Sequence, residues 1–250
     1  MMIVDVLVRF IIYWIVSFIL SLYIHEFGHL IVGILHGWKL YLLVIGPIKL
    51  YREAVNAPIK LGIETNITHW FGVAATLPTK QDSNIIHVFR KILIAGPISS
   101  MIFATMVLLC SFYFRSFFLL IFGLTSLALG IVNYIPLSIR TGFYYNDGTR
   151  YRRIKNGGIP AKEEAEIMNI VGKQVQYGED VRIVKEECLS LIASQDYIYR
   201  YYGYYVLYQS ALKNDANLVN EYFTQVEALS HTVPKSVIKM FPLDYKAETL

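Results

Sequence analysis

Residues 6–35 hold thirty consecutive positions in which Arg9, His25, Glu26 and His29 are the clear polar interruptions. At about 1.5 Å per helical residue, such a run more than spans a hydrocarbon core of about 30 Å. Lipid offers no partner to backbone N–H and C=O groups, so a single spanning segment must satisfy them internally, as a helix. A secretory signal is the competing reading, but its apolar region is about 7–15 residues and leads to a small-residue cleavage site, which does not follow here. The run is expected to remain as a first membrane helix. Residues 92–114 and 116–136 supply two more spans, joined at Arg115 and so expected to form a helical hairpin. Composition agrees, with 55% hydrophobic and 17% charged residues, against about a quarter charged in ordinary soluble chains.

Between the first two spans, residues 37–91 read as short apolar segments ("KLYLLVIGPIKLY", "FGVAATLP") broken by Gly, Pro and Asn. That pattern suits strands and turns and predicts a small sheet at the membrane surface. Beyond "NGGIP" (156–160), segments 161–175, 178–193, 197–213 and 216–230 combine helix formers with apolar spacing. The last two read as an antiparallel pair, and the tyrosines of 197–208 as packing. A tetratricopeptide-like array needs a period of about 34 residues, and none is clear. The fold class read from the sequence is therefore membrane α-helical. A three-helix core with a small sheet occupies 1–155, and a cytoplasmic α-helical domain occupies 156–250.

Charge is unevenly spread. Residues 1–148 hold ten Lys/Arg against six Asp/Glu, 149–158 four against none, and 159–250 nine against thirteen. The patch "RYRRIK" (150–155) suits anionic headgroups; no nucleic-acid-binding module accompanies it, and nucleic acid is not an expected partner. Lys39, Lys49, Arg52, Lys60, Lys80, Arg90 and Lys91 lie between the first two spans, and Arg140 and the patch follow the third, whereas Arg9 and Arg115 stand on the opposite side. The positive-inside rule then predicts a multi-pass cell-membrane protein with its N-terminus outside and its C-terminus in the cytoplasm. Cys110 and Cys188 form no disulfide framework or zinc cage and read as free thiols.

The chemistry concentrates in "HEFGH" (25–29). On a helix, His25 and His29 stand at i and i+4 on one face, spaced to hold one metal ion, with Glu26 beside them. An ionisable group within a membrane helix costs several kcal/mol unless it faces protein, a partner or water. Three together argue for a metal site. Zinc with two His and one carboxylate keeps a fourth position for water, whose pKa it lowers, and a neighbouring Glu can take the proton.

A third ligand is needed. A metzincin would place a His six residues after His29, where this chain has Leu35. Glu53 and Glu64 are gluzincin-like candidates beyond the helix. Of the aspartates in the membrane half, Asp5 is about 30 Å up the same helix, Asp82 lies in the loop between the first two spans, and Asp147 in "NDGTR" follows the third span on the side of the His pair. Position favours Asp147.

The combination resembles the site-2-protease-like intramembrane zinc metalloproteases, in a short bacterial form without a PDZ domain. The matching residues are "HEFGH" (25–29) in the first span, "AGP" (95–97) opening the second, and "NYIP" (133–136) followed by "DG" (147–148) after the third. The resemblance covers residues 6 to about 150. It implies a three-helix catalytic core, one zinc ion on His25, His29 and Asp147, Glu26 as general base, and a site open toward the cytoplasm. It also implies that Asn133 lies near the catalytic centre, holding substrate backbone or an oxyanion, and that an unwound substrate adds as a strand to the small sheet. One feature departs from the family: Asp147 follows Pro136 by eleven residues, a longer interval, with "LSIRTGFYYN" inserted. The insert is expected to bulge out as a surface loop and leave the ligand in place.

The function expected from these readings is zinc endopeptidase activity on a membrane-embedded peptide precursor or regulatory protein, with the C-terminal helical domain available to a protein partner. The rival expectation is a non-proteolytic binding or immunity-type membrane protein that retains the metal site.

Overall fold

The computed structural model describes residues 2–79, 84–137, 140–141, 143–177, 181–214 and 216–243. The chain divides into two compact units, Met1–Ser138 with Asn146–Lys155, and Ile139–Tyr145 with Asn156–Leu250. Besides the tail, the second unit thus takes in most of the stretch inserted before Asp147.

The first unit opens on α1 (Met2–Leu35), an unbroken helix. It stops where a Schellman arrangement closes it: Gly37 adopts φ 80°, its N–H donates to Ile34 O, and the Trp38 N–H donates to Gly33 O. A left-handed residue is required there, which glycine adopts without a Cβ clash. Strands β1 (Lys39–Ile45), β2 (Ile48–Tyr51), β3 (Lys60–Ile63) and β4 (Val73–Leu77) follow. They form one antiparallel sheet in the order β3-β2-β1-β4, with Leu43 opposite both Leu50 and Ala74. β4 is an edge strand, and a 3-10 turn over Ile67–Phe71 leads into it.

Helix α2 (Ile85–Phe114) begins seven residues before the sequence places it. Its first turns carry His87, Arg90 and Lys91, which mask an amphipathic face on which Val88 and Phe89 are buried. Arg115 in the left-handed region (φ 48°) turns the chain, and the Ser116 side chain caps α3 (Phe117–Tyr134) by accepting from the Leu119 N–H at 3.4 Å. α3 ends before Pro136, since the residue preceding a proline is pushed out of the helical region; Ile135 is extended.

Small polar residues lie where these helices meet. Ser17, Ser21, Ser100 and Ser126 are fully buried, while Leu109, Phe112 and Leu7 on the outer faces are more than half exposed. All three helices are long and apolar enough to cross a membrane.

After α3, β5 (Arg140–Thr141) and β6 (Tyr144–Tyr145) pair as a short antiparallel ribbon. Helix α4 (Asp147–Asn156) follows, and then α5 (Gly158–Tyr177), α6 (Val181–Ile192), α7 (Tyr197–Asn214), α8 (Ala216–Ser230) and α9 (Lys235–Met240). In the second unit α5 to α8 pack consecutively, α7 against α8. Tyr199, Tyr201 and Tyr208 are fully buried and serve as packing residues. The inserted stretch is not a surface loop. Phe143 is fully buried, its ring 5.6 Å from that of Tyr199 and 4.9 Å from that of Tyr202. Arg140 pairs with Asp196 and stacks 3.9 Å from the Tyr145 ring centroid. An aromatic run of this kind is too costly to leave in water when a core is within reach.

Candidate metal centre

The helical period brings His25 and His29 inward together, 4% and 8% exposed, on the buried face that Ser17 and Ser21 begin. Their outer nitrogens are held. His29 Nδ1 lies 2.7 Å from Ile92 O, an acceptor only, so Nδ1 carries the proton and Nε2 the lone pair. His25 Nδ1 lies 3.2 Å from Ser100 Oγ, a residue that α3 braces through Ser126 Oγ donating to Ser100 O at 3.2 Å.

That approach depends on glycine. A Cβ on Gly96, the middle residue of "AGP", would stand 2.3 Å from His29 Nε2, and one on Gly28 would stand 2.2 Å from Ser99 Oγ. The two glycines let α1 and α2 close at the level of the histidines. Gly33, by contrast, faces Thr76 of β4 rather than a helix.

Asp147 arrives from the first turn of α4. One of its oxygens, Oδ2, lies 3.0 Å from His25 Nε2 and 3.2 Å from His29 Nε2, and the two Nε2 atoms are 3.2 Å apart. Among the described residues, His25, His29 and Asp147 are the group able to hold a metal ion, with all three ligand atoms within 4.8 Å of one another. The geometry fits an ion: a tetrahedron with ligands at about 2.0–2.1 Å has edges of about 3.3 Å. The donor set fits as well. Two imidazole lone pairs and a carboxylate facing one point repel one another unless a cation lies between them.

Two residues that sequence reasoning passed over fix this ligand. Asn146 Oδ1 accepts from the Thr149 N–H at 3.2 Å, an N-cap for α4. Its Nδ2 donates to Val132 O at 3.0 Å and Ile135 O at 2.7 Å, where α3 ends. Thr149 Oγ1 lies 2.6 Å from both Asn146 Oδ1 and Leu137 O. The signal was present in "NDGT", an Asn three residues before a Thr, a capping pattern that also reads as a plain turn. Gly148 completes the seat, since a Cβ there would stand 2.1 Å from Tyr134 O.

Glu26 turns toward the sheet. A Cβ on Gly72 would meet its Cγ and Oε1 at 3.0 Å, and Glu26 lies within electrostatic reach of His29, His25 and Asp147. Asn133 Nδ2 donates to Leu129 O one turn back at 3.1 Å, and its own carbonyl backs Gly148, the residue after Asp147. The other carboxylates of the described residues are not gathered into the group. Glu53 pairs with Lys60 at 2.7 Å in solvent, Glu64 accepts from the Asn66 N–H at 2.9 Å and faces His69, and Asp5 pairs with Arg9 at 3.4 Å. Asp82 lies outside the described residues. No protein-family model, curated protein or solved structure matches this chain.

Proposed function

We propose that the chain is a site-2-protease-like intramembrane zinc endopeptidase that cleaves a peptide bond within or next to a membrane segment of a peptide precursor or regulatory protein. The observation that carries the reading is the convergence of Asp147 Oδ2 on His25 Nε2 and His29 Nε2, which with Glu26 lie in a helix apolar enough to cross a membrane. Membrane residence is supported by the inversion of the usual packing pattern, with serines at the helix contacts and large apolar side chains outward. The distribution of basic residues supports a multi-pass topology with the C-terminus in the cytoplasm.

When bound, zinc supplies Lewis acidity that lowers the pKa of water and polarises a peptide carbonyl. The residues of the chain do the rest. Ile92 O and Ser100 keep the imidazole lone pairs aimed inward. Glu26, packed against Gly72, takes a proton from the attacking water and passes it to the departing amine. The free edge of β4 accepts an unwound substrate segment by strand addition. An unwound segment is required, because an intact helix shields its carbonyls in its own hydrogen bonds.

Glu26→Gln tests the reading. The variant is expected to keep stoichiometric zinc and native helical content while an uncleaved membrane peptide accumulates relative to cells making the wild type. Cleavage by Glu26→Gln at the wild-type rate would remove the general base and the mechanism with it.

A further inference from the structure

We propose that Asn146 is the positioning residue of the metal centre, setting where the Asp147 carboxylate stands by tying the end of α3 to the start of α4. The inference rests on the metal-centre reading above. A helix ends with carbonyls that have no partner and begins with N–H groups that have none. Here both sets belong to different helices and meet at one carboxamide. The Asn146 NH2 donates to Val132 O and Ile135 O, at 3.0 and 2.7 Å, and Oδ1 accepts from the Thr149 N–H and hydroxyl, at 3.2 and 2.6 Å.

No other side chain of this length does both jobs. Aspartate keeps the acceptor and loses the two donors; serine has one proton to give; alanine has neither. The next residue is the ligand itself, so a shift of the carboxamide is transmitted to Asp147 through a single peptide unit. Thr149 is the second pin, its hydroxyl between Asn146 Oδ1 and Leu137 O. Groups that orient metal ligands in this way typically change affinity by about 10- to 100-fold when removed.

The test uses the full chain in lipid nanodiscs, with Zn2+ affinity read by competition against a chromophoric chelator and the site geometry read from the visible absorption of bound Co2+. Asn146→Ala and Asn146→Asp are both expected to weaken Zn2+ binding by about 10- to 100-fold and to alter the Co2+ spectrum. Thr149→Val is expected to shift both in the same direction, and Thr149→Ser to restore them. These readouts follow the ligand, and circular dichroism identifies variants that have not folded. If Asn146→Ala fails to fold, the Thr149 pair decides alone. Wild-type affinity and spectrum in Asn146→Ala overturn the inference. So does wild-type behaviour in Asn146→Asp, which would reduce the residue to a helix cap. His25→Ala separates the two levels: if it binds Zn2+ as well as the wild type does, the metal-centre reading fails and the inference with it.

Discussion

Gly96 lies flush against His29, with the position a Cβ would take only 2.3 Å from the imidazole Nε2. The "AGP" tripeptide of α2 therefore helps shape the candidate metal centre although none of its side chains belongs to the His25, His29 and Asp147 group.

Gly96→Ala forces either the histidine or the whole of α2 to move. Overpacking of this kind costs about 1–3 kcal/mol, and the displaced Nε2 is the atom that would bind the ion. On the proposed zinc-site reading, the variant is expected to bind far less zinc than the wild type and to unfold at lower temperature, measured by metal content and by thermal melting. Full zinc with an unchanged melting curve would show that the helices can part at no cost.

The choice of third ligand is also open to measurement. Asp147→Ala is expected to abolish stoichiometric zinc binding, whereas Glu53→Ala and Glu64→Ala keep it, because Glu53 is held by Lys60 and Glu64 by the Asn66 N–H and His69. Loss of zinc in Glu64→Ala with retention in Asp147→Ala would reverse the assignment.

Phe143→Ala removes a fully buried ring from the second unit. Truncating a buried phenylalanine costs about 3–5 kcal/mol, enough to unfold a marginal helical unit. Limited proteolysis should cut the variant within residues 156–243 under conditions that leave the wild type whole. Equal resistance in the two proteins would mean that the inserted stretch contributes nothing to that core.

Alkaline pH should loosen the same unit. Burial, reinforced by Glu187 and Glu166, pushes the Cys188 thiol from an ordinary 9.0 up to about 12, and burial with Tyr205 nearby pushes Tyr201 from 10.0 to about 12. Both groups hold their protons more tightly folded than unfolded, so their contribution is complete below pH 9 and is lost as pH rises toward 12. The denaturant midpoint is expected to fall across that window. In a Cys110→Ala background, Cys188 should resist maleimide at pH 8 until the protein is denatured. Rapid native labelling would show that the thiol is not enclosed.

Legibility in the sequence followed the range of the interactions. The His25–His29 pair needs only the helical period, and the three apolar helices need only length and composition. The small sheet was legible from short apolar segments broken by Gly, Pro and Asn, whereas its antiparallel order depends on pairings between strands that no single segment reveals. The start of α2 was missed because His87, Arg90 and Lys91 dilute the apolar signal of Val88 and Phe89. The destination of Phe143 depends on Tyr199, Tyr202 and Phe241, which lie too far along the chain for any local pattern to reveal; "GFYY" nevertheless carries more aromatic surface than a solvent loop should. Asn146 was hidden because a turn and a helix cap use the same residues.

The placement of Phe143 also sets an order of events during synthesis. Its partners in α7 and near Phe241 leave the ribosome after it does, and at roughly 5–20 residues per second the intervening stretch takes several seconds to make. Through that interval the three apolar helices and the His25–His29 pair are already made, while Phe143 has no core to enter. The second unit is therefore completed from its C-terminal end backward, its inserted ribbon waiting on the last helices to be synthesised.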